Sequence, residues 1–125
     1  MQTTVLLSIK PIFANRIFHG IKRYEFRKSI FKERGVNRIV VYASSPISKV
    51  IGEFQVDDVI ELELEKLWAM TQPYAGIQQE YFYRYFDGRE KGFAIKIGNT
   101  NLYREPLVLQ KEFRIQRPPQ SFMYI

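Results

Sequence analysis

Residues 20–27 read Gly-Ile-Lys-Arg-Tyr-Glu-Phe-Arg, and this octapeptide decides how the first part of the chain folds. Upstream of it, Pro11 suits the first turn of a helix, where its missing N–H would have lacked a partner anyway. Phe13, Ile17 and Ile21 recur at a spacing of four, so a helix from about Pro11 to His19 buries one face. Gly20 then stands where a left-handed helix cap is expected. Beyond it, Tyr24 and Phe26 alternate with Arg23, Glu25 and Arg27, which is the period of a strand. Glu25 and Arg27 are two apart and point to one face, and Arg23 shares their parity. Lys22 precedes the regular strand and is expected to approach the same face from its rim.

Working outward, Thr3 to Ile9 reads as a buried strand ahead of the helix. Arg38 to Ala43 is a second strong strand, closed by Ser44-Ser45-Pro46. Lys49 to about Ile60 is a third, with a bulge expected at Gly52. Glu63 to Met70 and Gln78 to Phe86 read as helices separated by a loop with Pro73 and Gly76. Gly92 to Ile97 and Leu102 to Leu109 read as two strands around a Gly98-Asn99-Thr100-Asn101 turn. Pro118-Pro119 opens a last short strand, Ser121 to Ile125. Short strands with a few helices between them predict a small mixed barrel of the α+β class rather than a doubly wound sheet. With 125 residues, no repeat and no linker, one domain over 1–125 is expected.

Composition narrows the chemistry. There is no cysteine, so thiolate metal sites, cysteine nucleophiles and disulfides are excluded. With His19 alone, a multi-histidine metal site is excluded too; no metal site and no cofactor is expected. No stretch approaches the roughly 20 apolar residues of a membrane span. The apolar run Val5 to Leu7 is too short for a signal peptide, so the expected location is the cytoplasm. The net charge of +6 is unevenly spread. Residues 1–38 carry nine Lys or Arg against Glu25 and Glu33, while residues 53–65 carry six acids and no base. A basic region with an acidic one apart from it is read either as the footprint of a phosphate-binding surface or as that of a merely soluble basic protein, and charge alone does not separate the two.

Individual residues have competing readings. Glu25 and Arg27 form either an ion pair on a solvated face, worth at most ~1 kcal/mol, or part of a binding cleft. In the second reading the carboxylate accepts from a base or ribose while the cations take phosphate. His19, in the last turn of its helix, is read first as a cap and only second as catalytic. Ser44, Ser45, Ser48 and Ser121 read as turn and strand-start residues, and no G-x-S-x-G pattern accompanies them. Tyr81, Phe82, Tyr85 and Phe86 fall at helical spacing and read first as core and second as a base-stacking platform, while Trp68 with Leu64 and Leu67 reads as core. Tyr24, Tyr42 and Tyr124 are the candidates for stacking on a base.

The octapeptide fits G-x-K-x-x-E-x-R directly after a helix, and in this it resembles the signature of the ASCH domain (activating-signal-cointegrator homology), a branch of the PUA-like fold. Leu6-Leu7-Ser8-Ile9-Lys10-Pro11 resembles that family's opening strand-to-helix junction. Ile51-Gly52-Glu53-Phe54 resembles its central strand, and Gly92-Phe93-Ala94-Ile95-Lys96-Ile97 the strand after its helical insert. Pro118-Pro119-Gln120-Ser121-Phe122, with Tyr124, resembles the closing segment of small bacterial and phage members. The resemblance implies a PUA-like barrel of about five or six strands, with the first helix across one end and residues 63–87 as the insert. It implies a module that binds RNA, a nucleotide or a nucleoside in a basic cleft, with a regulatory role suggested by the family name alone. The ligand-binding residues it implies are Lys10, Gly20, Lys22, Arg23, Tyr24, Glu25, Arg27 and Ser121. Some members are hydrolases: one branch deacetylates acetylcytidine with a lysine, a threonine and a glutamate, and ribonuclease activity is associated with others. Lys22 matches the lysine, whereas Glu25 occupies the threonine's place. As an enzyme, this chain would use Lys22 and Glu25 in acid–base roles.

Overall fold

Thr3–Ile9 forms strand β1, and its burial explains the architecture around it. Val5, Leu7 and Ile9 point to one face and Leu6 to the other, yet all four are 2% exposed or less. A strand buried on both faces needs cover on both sides. Helix α1 (Pro11–Phe18) packs Ala14 and Ile17 among Val5, Leu7 and Ile9. On the other side, Leu6 packs with Val40, Tyr42, Val50 and Leu109. The structure, a computed structural model, describes residues 3–125.

The remaining strands are β2 (Tyr24–Arg27), β3 (Val36–Ala43), β4 (Lys49–Glu63), β5 (Lys91–Leu107) and β6 (Phe122–Tyr124). They form one six-stranded sheet in the order β2-β5-β4-β3-β1-β6, curled into a half-barrel. Only β1 and β3 run parallel; the other pairings are antiparallel. The α+β barrel-like fold read from the sequence is therefore the fold of the chain, with six strands. Its edges are β2 and β6, and the curl brings them toward each other: the Arg27 guanidinium at the end of β2 donates to the Ser8 carbonyl on β1 and to Ser121 Oγ just before β6.

Between β4 and β5 lie helix α2 (Leu64–Thr71), a 3-10 turn (Gln72–Tyr74) and helix α3 (Gln79–Tyr85). This insert covers the β2 end of the sheet, where Leu67, Phe82 and Phe86 meet Phe26 and Ala94. Phe82 is fully buried at the centre, with Phe26, Trp68 and Phe86 rings 5.0–5.2 Å from its own.

Two local expectations are corrected. Gly98 to Asn101 is no turn, because β5 runs on as one strand of 17 residues against a β4 of 15. Two steps along β4, from Val56 to Phe54, match three along β5, from Ile97 to Thr100. The extra residue is absorbed as a bulge, which lets a long strand curl without breaking. The strand then ends at Leu107, not Leu109, and Leu109–Glu112 forms a short helix α4 that places Leu109 in the core. The expected bulge at Gly52 is present as a register shift between Val50 and Gly52. No helix is long and apolar enough to cross a membrane among the described residues.

Collapse cannot readily fill the space Phe82 occupies, since four aromatic neighbours, Phe26, Trp68, Tyr83 and Phe86, stand around it edge-on or tilted. Phe82→Ala is expected to destabilise the protein by about 3–5 kcal/mol, with the loss read as a lower midpoint in urea denaturation.

Candidate functional site

A cavity of about 700 Å³ opens at the seam where the two sheet edges approach. Its wall comes from the β1–α1 junction, β2 and the residues after it, α3 and the segment before β6. Five cations (Lys10, Lys22, Arg27, Lys28, Arg89) and one carboxylate, Glu25, line it. That volume falls within the range of small-molecule and cofactor clefts.

The octapeptide builds the floor. Gly20, at φ +81°, turns the chain out of α1, and the next two N–H groups both donate to the Arg16 carbonyl. The chain is thereby aimed inward, so Lys22 is 2% exposed and reaches under the insert. Its Nζ donates to the Ala75 carbonyl at 2.8 Å and lies 4.8 Å from the Phe26 ring centre. The carbonyls on either side are used as well: that of Tyr74 accepts from the Arg23 N–H and that of Gly76 from Arg16 Nη1. Gly76 is required here, because it has a φ of +69° and a Cβ on it would overlap the Lys22 stem. Three successive carbonyls thus clamp the insert onto the motif and onto helix α1 just before it.

Burial pushes the Lys22 ammonium down from 10.5 to about 8; Glu25 partly opposes this and Arg16 adds to it. Glu25 itself is 5% exposed, and Arg27 Nη1 donates to its Oε2 at 3.0 Å. The same Nη1 donates to the Ser8 carbonyl and Nη2 to Ser121 Oγ, at 2.8 Å. Arg27 is therefore largely occupied in holding the carboxylate and closing the seam. The fixed geometry that an exposed Glu–Arg pair lacks is present here because both partners are shielded.

Of the eight residues named from sequence, Lys10, Lys22, Glu25, Arg27 and Ser121 line the cavity. Gly20, Arg23 and Tyr24 do not. Gly20 serves the turn. Arg23 precedes β2, so strand parity does not govern it, and its side chain is exposed outside the cavity. Tyr24 is half-buried and packs against the cluster beneath the insert. Lys22 lies on the floor rather than the rim, because the Gly20 turn carries it beneath Ala75. The other two stacking candidates also lie elsewhere: Tyr42 is in the core beneath α4, and the Tyr124 hydroxyl accepts from the N–H groups of Lys32 and Glu33. His19 caps α1, with its Nδ1 2.7 Å from the Asn15 carbonyl.

The sequence reading ranked core first for all four rings of this helix, but only Phe82 and Phe86 face the core, while Tyr81 and Tyr85 line the cavity. A signal was available: on one helix the ring without a hydroxyl goes inward, and the ring with one goes to a wall where water or a ligand can meet it. Among the described residues, no group of three His, Asp or Glu side chains is gathered to hold a metal ion.

The ASCH domain family pattern matches residues 7–101. The chain belongs to the ASCH family. It is 31% identical over 123 residues to a Zymomonas mobilis protein named ASCH domain-containing ribonuclease, covering 96% of this chain and 82% of that one. The crystal structure of ASCH from Zymomonas mobilis superposes with a TM-score of 0.85 at 28% identity, over 98% of this chain and 87% of that chain. A tyrosine-to-phenylalanine mutant of that protein gives 0.88 at 28% identity, over 98% and 89%. The chain is also 25% identical over 122 residues to a Ureaplasma parvum protein named large ribosomal subunit protein uL22; this spans 98% of the chain but only 39% of that protein's length.

Lys22 binds its proton less tightly folded than unfolded, so the folded state carries a penalty of roughly 3 kcal/mol at neutral pH. The unfolded chain holds more protons between about 8 and 10.5, so stability should rise with pH across that window. In denaturation titrations, wild type is expected to gain on Lys22→Met by about that amount from pH 7 to 10.5. A difference that stays flat with pH would contradict the burial of a protonated amine.

Proposed function

We propose that the cleft binds single-stranded RNA and cleaves it, with Lys22 moving the proton. The observation that carries this reading is the Lys22 amine, buried on the cavity floor and able to shed its proton near neutral pH. A titratable group displaced toward the working pH by burial, inside a cleft and beside a carboxylate, is a mark of acid–base chemistry. The name carried by the 31% identical Zymomonas mobilis relative supports RNA as the substrate.

In this reading neutral Lys22 takes the proton of a ribose 2′-hydroxyl. The 2′ oxygen forms a bond to the adjacent phosphorus as the bond from phosphorus to the 5′ oxygen breaks. The leaving 5′ oxygen takes a proton from solvent, and the products end in a 2′,3′-cyclic phosphate and a 5′-hydroxyl. Glu25, held by Arg27, accepts from the ribose and keeps the attacking oxygen in place, while its charge partly offsets the lowering of the amine's pKa by burial. Arg27 positions Glu25 and closes the seam.

A labelled single-stranded oligoribonucleotide should be cleaved by wild type to cyclic-phosphate ends, and a 2′-deoxy substitution at the cut should block it. Lys22→Met should lower the cleavage rate by about 10²- to 10⁴-fold with binding retained. Wild-type protein that binds the oligomer without product would reduce the reading to a binding module. Equal cleavage by Lys22→Met would remove Lys22 from the chemistry.

A further inference from the structure

Residues of the cavity that the chemistry above does not use form an ordered arrangement of their own. Tyr81 and Tyr85, one turn apart on α3, present parallel rings, 8° between planes and 6.5 Å between centres. Their backing is fixed: Phe13 meets Tyr81 edge-on at 5.1 Å, and Phe86 meets Tyr85 at 4.9 Å. Each ring carries a cation over it, Lys10 at 5.8 Å from Tyr81 and Lys28 at 5.0 Å from Tyr85. Arg89 stands beside Lys28, donating to its backbone carbonyl. Among the described residues, none of these three cations is in an ion pair with a carboxylate.

Tyrosines that served only the core would not need to line an open wall or be flanked by unpaired cations. Aromatic rings interleaved with free lysines and arginines instead match what a single strand offers: a flat π-face on every base and a phosphate between each pair. We infer that Tyr81 and Tyr85 form a stacking platform for successive bases of a single strand, with Lys10, Lys28 and Arg89 taking the phosphates that pass beside it. This rests on the RNA reading above and deepens it. The strand would be held by its bases on α3 while the bond to be broken lies over Lys22, and a duplex, whose bases are already stacked, would be rejected. Phosphate binding thereby falls to these three cations and not to Arg27, whose guanidinium is committed to Glu25, Ser8 and Ser121.

The test uses two labelled oligomers of equal length and charge, followed by fluorescence anisotropy at one salt concentration. One carries bases on 2′-fluoro riboses, which lack the attacking hydroxyl; the other has the same backbone with abasic sugars. Wild type should bind the base-bearing strand at least about 10-fold more tightly. The double variant Tyr81→Leu with Tyr85→Leu should lose that preference, while Tyr81→Phe with Tyr85→Phe, which keeps both rings, should retain it. Lys28→Ala and Arg89→Ala should each lower the slope of log affinity against log salt by about 0.7. Equal affinity for the two oligomers, or a preference that survives in the leucine variant, would overturn the inference while leaving cleavage standing. No binding of either oligomer would overturn it together with the RNA reading.

Discussion

The hydrogen bond from the Lys22 amine to the Ala75 carbonyl is the constraint on which the rest depends. A lysine with 2% exposure is costly in any fold, and its amine needs an acceptor that does not itself need water. The insert supplies one by ending α2 in a 3-10 turn, which leaves the carbonyls at 74–76 pointing at the motif. Gly76 lets that backbone come close enough. The insert is thus fixed to the octapeptide by backbone geometry rather than by side-chain packing alone, and α3 inherits its position from that attachment. The wall carrying Tyr81 and Tyr85 belongs to this insert, which the three carbonyl contacts and the Phe82 cluster hold together against the sheet.

The second constraint is the open seam. A fully closed barrel has no edges and no cleft, whereas a six-stranded half-barrel leaves β2 and β6 unpaired toward each other. Arg27 spans the gap, and by holding Glu25 with the same guanidinium it ties the shape of the seam to the direction of a carboxylate. The Ser8 hydroxyl reinforces the closure by donating to the Pro119 carbonyl, and the Ser8 N–H donates to the carbonyl of Ser121. The cleft belongs to the architecture of the sheet, and its chemistry comes from a short stretch of one strand and the turn before it.

Much of this was legible in the sequence because it was encoded locally. The Pro11 start, the four-residue apolar spacing, the Gly20 cap and the alternation after it specify α1 and β2 with no knowledge of the rest of the chain. The ASCH resemblance then supplied the closure of the strands into a PUA-like barrel with a helical insert, which periodicity could not. The errors arose where a distant partner decides. Gly98-Asn99 reads as a turn in isolation, and only the length of β4 makes it a bulge. Lys22 reads as a rim residue because lysines usually stay in water, and only the Ala75 carbonyl, 53 residues away, makes its burial possible. Tyr81 and Tyr85 read as core ahead of a stacking platform because helical spacing reports that a face is buried without saying whether a cavity lies against it.

The central claim is that one buried amine is poised to lose its proton at the floor of the cleft. Its most direct test is a nuclear magnetic resonance titration of the lysine side chains, following the carbon next to Nζ, with Lys22→Met used to assign the Lys22 signal. The account predicts that this signal titrates at about 8, apart from the other lysines, and that the separation disappears when the fold is disrupted by denaturant. A Lys22 signal that titrates at the ordinary value of 10.5 in the folded protein would contradict it.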